Sequence, residues 1–188
     1  MRPKLAAQGQ KVAEALATAD ELDRRLGAQL GLTGTWQDLR RRIEGLVAGA
    51  SSMQRTESFA AHSLLVEELL AFQLQAADSS ALTLDPDYDT YYLVDAVVNR
   101  LPEAIEGAGR MRAIGSAILA QKAIGEPERL RLAALESQSR QLLQSVKRAV
   151  DSVAGANADS ARALASPVDE FAGSVDALRA LVNGQVVS

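Results

Sequence analysis

Apolar residues recur at helical spacing along nearly the whole chain, and that regularity excludes most folds. Leu5, Val12, Leu16, Leu22, Leu26 and Leu30 trace one face; Leu39, Ile43, Leu46 and Ala50 resume it, and Phe59, His62, Leu65, Leu69 and Phe72 carry it to about residue 78. Farther on, Tyr91, Val94, Val98, Leu101, Ile105, Ala108, Arg112, Gly115 and Leu119 form a seam stepping mostly by three and four. Leu132, Leu135, Ser139, Leu142, Val146, Ala149 and Val153 form another, followed by Leu164, Val168, Phe171, Val175, Leu178 and Val182. A repeat near 3.5 residues calls for helices lying side by side with a left-handed supercoil. No segment alternates with period two, so no strand of substance is expected.

The punctuation divides this pattern. Residues 31–34 interrupt it, and Thr35-Trp36-Gln37-Asp38 reads as an N-cap with an acid three residues on. Residues 49–52 are a second weak point. Pro102 is expected to bend its helix without ending it, because the periodicity survives on both sides. Gly125-Glu126-Pro127-Glu128 marks a turn and a helix start with proline in the first turn.

Ser166-Pro167 fits a kink in one long helix better than a fresh start. Helices over 3–50, 52–78, 88–123 and 127–186 give about 84 residues outward and about 87 back, at equal rise per residue. The expectation is an all-α, elongated up-down four-helix bundle with long first and last helices, residues 1–188 forming one domain. Six helices in two stacked bundles, broken at 31–34 and near Asn157, balance almost as well.

Composition narrows the function. The chain has 188 residues, a net charge of −4 and no basic tract, so a nucleic-acid partner is not expected. Arg40-Arg41-Arg42 reads as a solvated helix face. With no cysteine there is neither disulfide nor thiolate metal site. No run of about 18 apolar residues occurs, so nothing within the chain spans a bilayer, and no secretory leader is expected at its start. Catalysis finds no nucleophile paired with a base, no glycine loop for phosphate and no thiol, so the chain is not expected to be an enzyme or to hold a cofactor.

Four places carry individual chemistry. Asp85, Asp87 and Asp89 alternate as in a calcium loop, but position six is Thr90 and position twelve Ala96, so no metal is expected. Instead Pro86 stiffens the loop, Asp87 or Asp89 caps the next helix, and Tyr91 is either packed beneath that cap or part of a pocket. His62, the lone histidine, sits on an apolar face, where it is either a hydrogen-bonded core residue or a ligand contact. Arg112 falls on a seam where leucine is expected. Antiparallel folding puts it level with Arg55 and Thr56 on one side and with Ser137, Gln138 and Ser139 on the other. It reads either as a register-setting ion pair or as a bidentate grip on a carboxylate.

Several segments, in order over residues 20–135, resemble the extracytoplasmic ligand-binding domain of bacterial methyl-accepting chemotaxis proteins. They are Leu30-Gly31-Leu32-Thr33 with Trp36, Phe59-Ala60-Ala61-His62, Leu82-Thr83-Leu84-Asp85-Pro86-Asp87 with Tyr91-Tyr92-Leu93, Asn99-Arg100-Leu101-Pro102, and Arg112-Ala113-Ile114-Gly115. Val94 departs from the methionine common there, and the tail beyond Asn157 carries no family signature. The resemblance implies a sensor on the periplasmic side of the inner membrane, excised from between two transmembrane helices and working as a homodimer. Its partner would be a small-molecule ligand, an organic acid among the options, or a periplasmic binding protein. The output module would be a chemotaxis or histidine-kinase signalling module. The competing reading is a helical scaffold that recognises no small molecule.

Overall fold

The structure, a computed structural model, describes residues 2–84, 86–121, 124–156, 158–182 and 184. Among them the chain is all α-helical, as expected, in the six-helix version of the bundle. The helices are α1 (residues 2–30), α2 (Thr33–Gly49), α3 (Arg55–Ser79), α4 (residues 88–121), α5 (Glu126–Ala156) and α6 (Ala158–Val182). They form two compact units, Met1–Ser80 and Ala81–Ser188.

In the first unit, α1 ends in a reciprocal pair of backbone bonds. Leu32 N–H reaches the Gly27 carbonyl at 2.8 Å and Gly31 N–H the Ala28 carbonyl at 3.3 Å. This Schellman closure needs a left-handed residue, and Gly31 supplies it at φ 69°. Only Gly31 and Leu32 then separate α1 from α2, so α2 begins at Thr33, two residues before the cap read at Thr35. Trp36 on α2 bonds Asp20 on α1, and Trp36 also packs on Phe72 of α3 at 5.9 Å. Arg42 of α2 meets Glu68 of α3, so α3 runs antiparallel to α2, and the two-residue connection folds α1 back along α2. Leu39, Ile43 and Leu65 form the buried centre, flanked by Val12, Leu16, Leu46, Leu69 and Phe72. Phe59 and His62 lie outside it: His62 is exposed and its Nδ1 contacts the Ser58 carbonyl at 2.7 Å, which excludes the core reading.

In the second unit, the direction of α6 follows from two ion pairs. Arg179 reaches Glu136 at 2.8 Å and Lys147 reaches Asp169 at 2.8 Å. As positions climb along α5 their partners descend along α6, so the two are antiparallel. Two helices thus stand in place of the single one expected over 127–186. Asn157, at the break, lies outside the described residues, and Pro167 sits within α6 as neither an N-cap nor a stop. Gly107 on α4 faces Ser139 on α5, and Gly115 on α4 faces Val182 on α6. The result is an up-down-up trio in which α4 and α6 run parallel. Met111, Ile118, Leu132, Leu143, Ala172, Val175 and Val182 fill its core.

The seam read along α4 is one residue out of phase. Ala104, Gly107, Met111 and Ile118 are buried, whereas Ile105 and Leu119 are largely exposed and Arg112 is exposed. The cause is a π-turn at Asp95–Arg100, where Leu101 N–H bonds the Ala96 carbonyl five residues back. That wider turn takes up one extra residue and shifts everything downstream. Pro102 explains its location: its ring would crowd the carbonyl four residues earlier, and the widened turn opens that spot. The Arg100–Asp95 pair, 2.5 Å long, spans the same five-residue step.

Candidate functional site

Among the described residues each unit has a concave site. In the first unit a second π-turn, Asp23–Gly27, lies beside a cleft of about 450 Å³ lined by Ala17, Asp20, Asp23, Arg24, Trp36, Gln37 and Arg40. Asp20 accepts from Trp36 Nε1 at 2.9 Å and from Arg40 Nε at 3.0 and 2.9 Å through its two oxygens. The Trp36 hydrogen bond, followed by the Arg40 contact, holds the Asp20 carboxyl below its usual range, and Asp20 in turn raises the Arg40 guanidinium. Arg24 is occupied by Glu21. Both cations of this cleft already face carboxylates, so it is a structural clamp and a poor seat for an anion. Arg40 is therefore half-buried in the clamp, whereas Arg42 is exposed as expected and also reaches Glu68 of α3 at 2.6 Å. Arg41 pairs within its own helix, with Asp38.

The second site is a groove of about 440 Å³ between α4 and α6. One wall is Ile105, Glu106, Ala108, Gly109 and Arg112; the other is Phe171, Ser174, Val175 and Leu178. Its polar groups are few. Glu106 is held by Arg110 at 2.6 Å, and the Ser174 hydroxyl donates to the Glu170 carbonyl at 2.9 Å. Among the described residues, the Arg112 side chain makes no ion pair and no hydrogen bond. A guanidinium with its whole fork open, beside an apolar wall, is the arrangement that accepts a planar oxyanion.

The residues singled out from the sequence fall as follows. Arg112 lines this groove. Ser139 is 1% exposed, faces Gly107 across the α4–α5 contact, and leaves its hydroxyl without a hydrogen-bond partner. It thus turns away from the α4–α6 groove, and the two residues do not share a site. Tyr91 is 53% exposed and meets Tyr92 edge-on at 5.4 Å. Arg55 and Thr56 are exposed in the first turn of α3 and, with His62, belong to the first unit. Asp85 lies outside the described residues. Asp87 occupies the N-cap of α4 with extended backbone, but its side chain makes no capping bond. No group of three or more metal-ligating side chains occurs among the described residues. The α6 wall escaped the sequence reading, because only the reversal after α5 brings α6 alongside α4.

Among the described residues no helix is long and apolar enough to cross a membrane. No curated protein and no solved structure matches the chain. Its sequence does match a family described as nitrate and nitrite sensing, over residues 1–185. With nearly its whole length covered, the chain belongs to the nitrate and nitrite sensing (NIT) family, whose members are extracytoplasmic sensor domains of bacterial receptors.

Proposed function

We propose that this is the periplasmic sensing domain of a transmembrane chemoreceptor, that it takes a small planar oxyanion on Arg112, and that it works as a homodimer. Nitrate, nitrite and a carboxylate present the same chemistry to a guanidinium: two coplanar oxygens spaced for its fork. The observation that carries the reading is the unpaired Arg112 in a groove whose opposite wall is the last helix of the chain. The family description supports an anion; the groove supports this arginine.

A ligand changes an equilibrium only if it binds two arrangements unequally. An anion in this groove touches α4 through Arg112 and α6 through its wall, so its affinity depends on how far apart the two helices stand. Binding then favours one spacing, and the displacement of α6 is the signal passed on. The Arg179–Glu136 and Lys147–Asp169 pairs tie α6 to α5 along the same hairpin.

Calorimetric titration with nitrate, nitrite and acetate tests the reading. Heat should be released with at least one of them by the wild type and be lost in Arg112→Ala. Arg112→Lys, which keeps the charge and removes the fork, should bind more weakly than the wild type. Equal binding by all three proteins would end this assignment. Sedimentation with and without the bound anion measures the dimer.

A further inference from the structure

Resting on the assignment of Arg112 as the anion-binding group, we infer that Ser174 of α6 is a second ligand of the anion and makes the α4–α6 groove prefer nitrate to nitrite. Arg112 and Ser174 are the two groove-lining residues whose side chains carry an N–H or O–H donor. They stand on opposite walls, and both are exposed. Gly115 of α4 faces Val182 of α6, and the two helices run parallel, so Arg112 is level with residue 179. Ser174 lies five positions before residue 179, about 7.5 Å along the axis. Side chains on a helix lean toward its N-terminus, which carries the long Arg112 chain back toward the level of Ser174. A small anion held at the end of the guanidinium fills the remaining step.

The shapes of the two anions separate them. Each sets two coplanar oxygens on the guanidinium fork. Opposite the fork nitrate carries a third oxygen, a full acceptor that shares the negative charge. Nitrite has only the lone pair of its nitrogen there, one bond length closer to Arg112. Nitrate therefore bridges α4 and α6, whereas nitrite rests on α4 alone. A hydrogen bond to a charged acceptor is about twice as strong as a neutral one, so this third contact is the discriminating one. The bridge also supplies what the proposed signal requires, a ligand whose affinity depends on the spacing of two helices.

Ser174 is recruited at small cost. Its hydroxyl donates to the Glu170 carbonyl at 2.9 Å, and in regular helix that carbonyl already accepts the Ser174 N–H. Turning the O–H bond toward the groove moves no heavy atom and leaves the helix bond in place. Glu106 lines the same stretch of groove as a like charge, but Arg110 pairs with it at 2.6 Å and offsets that charge.

The test is a chemical-shift titration of the isotope-labelled chain with nitrate, nitrite and acetate at constant ionic strength, followed at the backbone amides of the groove, which reads weak Kd values. Acetate presents a methyl group where nitrate has its third oxygen. The wild type should bind nitrate about fivefold more tightly than nitrite or acetate, the worth of one net hydrogen bond. Ser174→Ala should bring nitrate down to the nitrite value and leave nitrite unchanged. Ser174→Thr, which keeps the hydroxyl, should retain the preference. Arg112→Ala should abolish binding of all three. If nitrate and nitrite bind the wild type equally, or the preference survives in Ser174→Ala, the inference is overturned while the oxyanion site stands. If no anion depends on Arg112, the site itself falls, and this inference with it.

Discussion

The contact between Gly107 and Ser139 permits a test in which one substitution reverses the sign of another. A Cβ built on Gly107 would lie 2.8 Å from Ser139 Oγ and within 4 Å of nothing else outside its own helix. The hydroxyl is buried and unpartnered. Three quantities follow. Ser139→Ala removes a desolvated, unbonded hydroxyl, whose burden is about 1–3 kcal/mol, and forfeits the packing of one atom, so a net gain near 1 kcal/mol is expected. Gly107→Ala gains about 1 kcal/mol of helix propensity but overpacks at a cost of about 2 kcal/mol, a net loss near 1 kcal/mol. In the double variant the obstructing atom is gone, so Gly107→Ala becomes stabilising by up to about 1 kcal/mol. The coupling is therefore about 2 kcal/mol, well above the ~0.5 kcal/mol within which independent sites add. Urea unfolding of the four proteins measures it, and each 1 kcal/mol should appear as roughly 3 °C in Tm. Additive effects, or a Ser139→Ala variant less stable than the wild type, would refute the claim that the hydroxyl is unpartnered against Gly107. Anion affinity should be unchanged in Ser139→Ala, since that side chain turns away from the groove.

Ala81, which follows the end of α3, holds φ 57°, a conformation that strains any residue with a Cβ; Ala81→Gly should raise stability by about 1 kcal/mol in chemical denaturation. Asp20 has a folded pKa below its unfolded value near 4, so its contribution to stability is present above about pH 4 and is lost as pH falls through the folded pKa. Asp20→Asn should accordingly flatten the acid limb of a Tm–pH profile below pH 4. The Arg179–Glu136 pair is only about one-fifth exposed on each side, whereas Lys147–Asp169 is open to water. Glu136→Gln should cost roughly 1–2 kcal/mol and Asp169→Asn less than about 0.5 kcal/mol, both read by urea midpoint. The first loss should persist in high salt and the second should vanish.

The fold class was legible because side-by-side helix packing demands little more than an apolar period. Val146, Val153, Val168, Val175 and Val182 are buried where their spacing puts them. Phase was harder. A π-turn has no strong composition of its own, so a seam continued through Asp95–Arg100 selects Ile105 and Arg112 where the chain buries Ala104 and Met111. Pro102 was the available signal, read as a bend when it marks the widened turn. The apolar pattern stutters between Val153 and Leu164, and such a gap fits a kink in one helix as well as a reversal into a second, so periodicity alone could not choose between them. The same limit governs the site. Arg112 was visible as a charge among small and apolar neighbours. The α6 wall opposite it depends on a chain direction set by Arg179–Glu136 and Lys147–Asp169, pairs with more than 20 residues of sequence between their members.

The π-turn in α4 gives that helix two oily stripes, one residue apart, and makes the turn itself the adjuster between them. Removing Val97 should restore ordinary winding from Tyr88 to Gln121 without disturbing Met111 or Ile118, since the surplus residue is what the wide turn absorbs. A chain so shortened would keep its present grip on α5 while the Leu101 N–H returns to a carbonyl four residues back. The shortened protein should fold with a melting temperature equal to or above that of the parent chain.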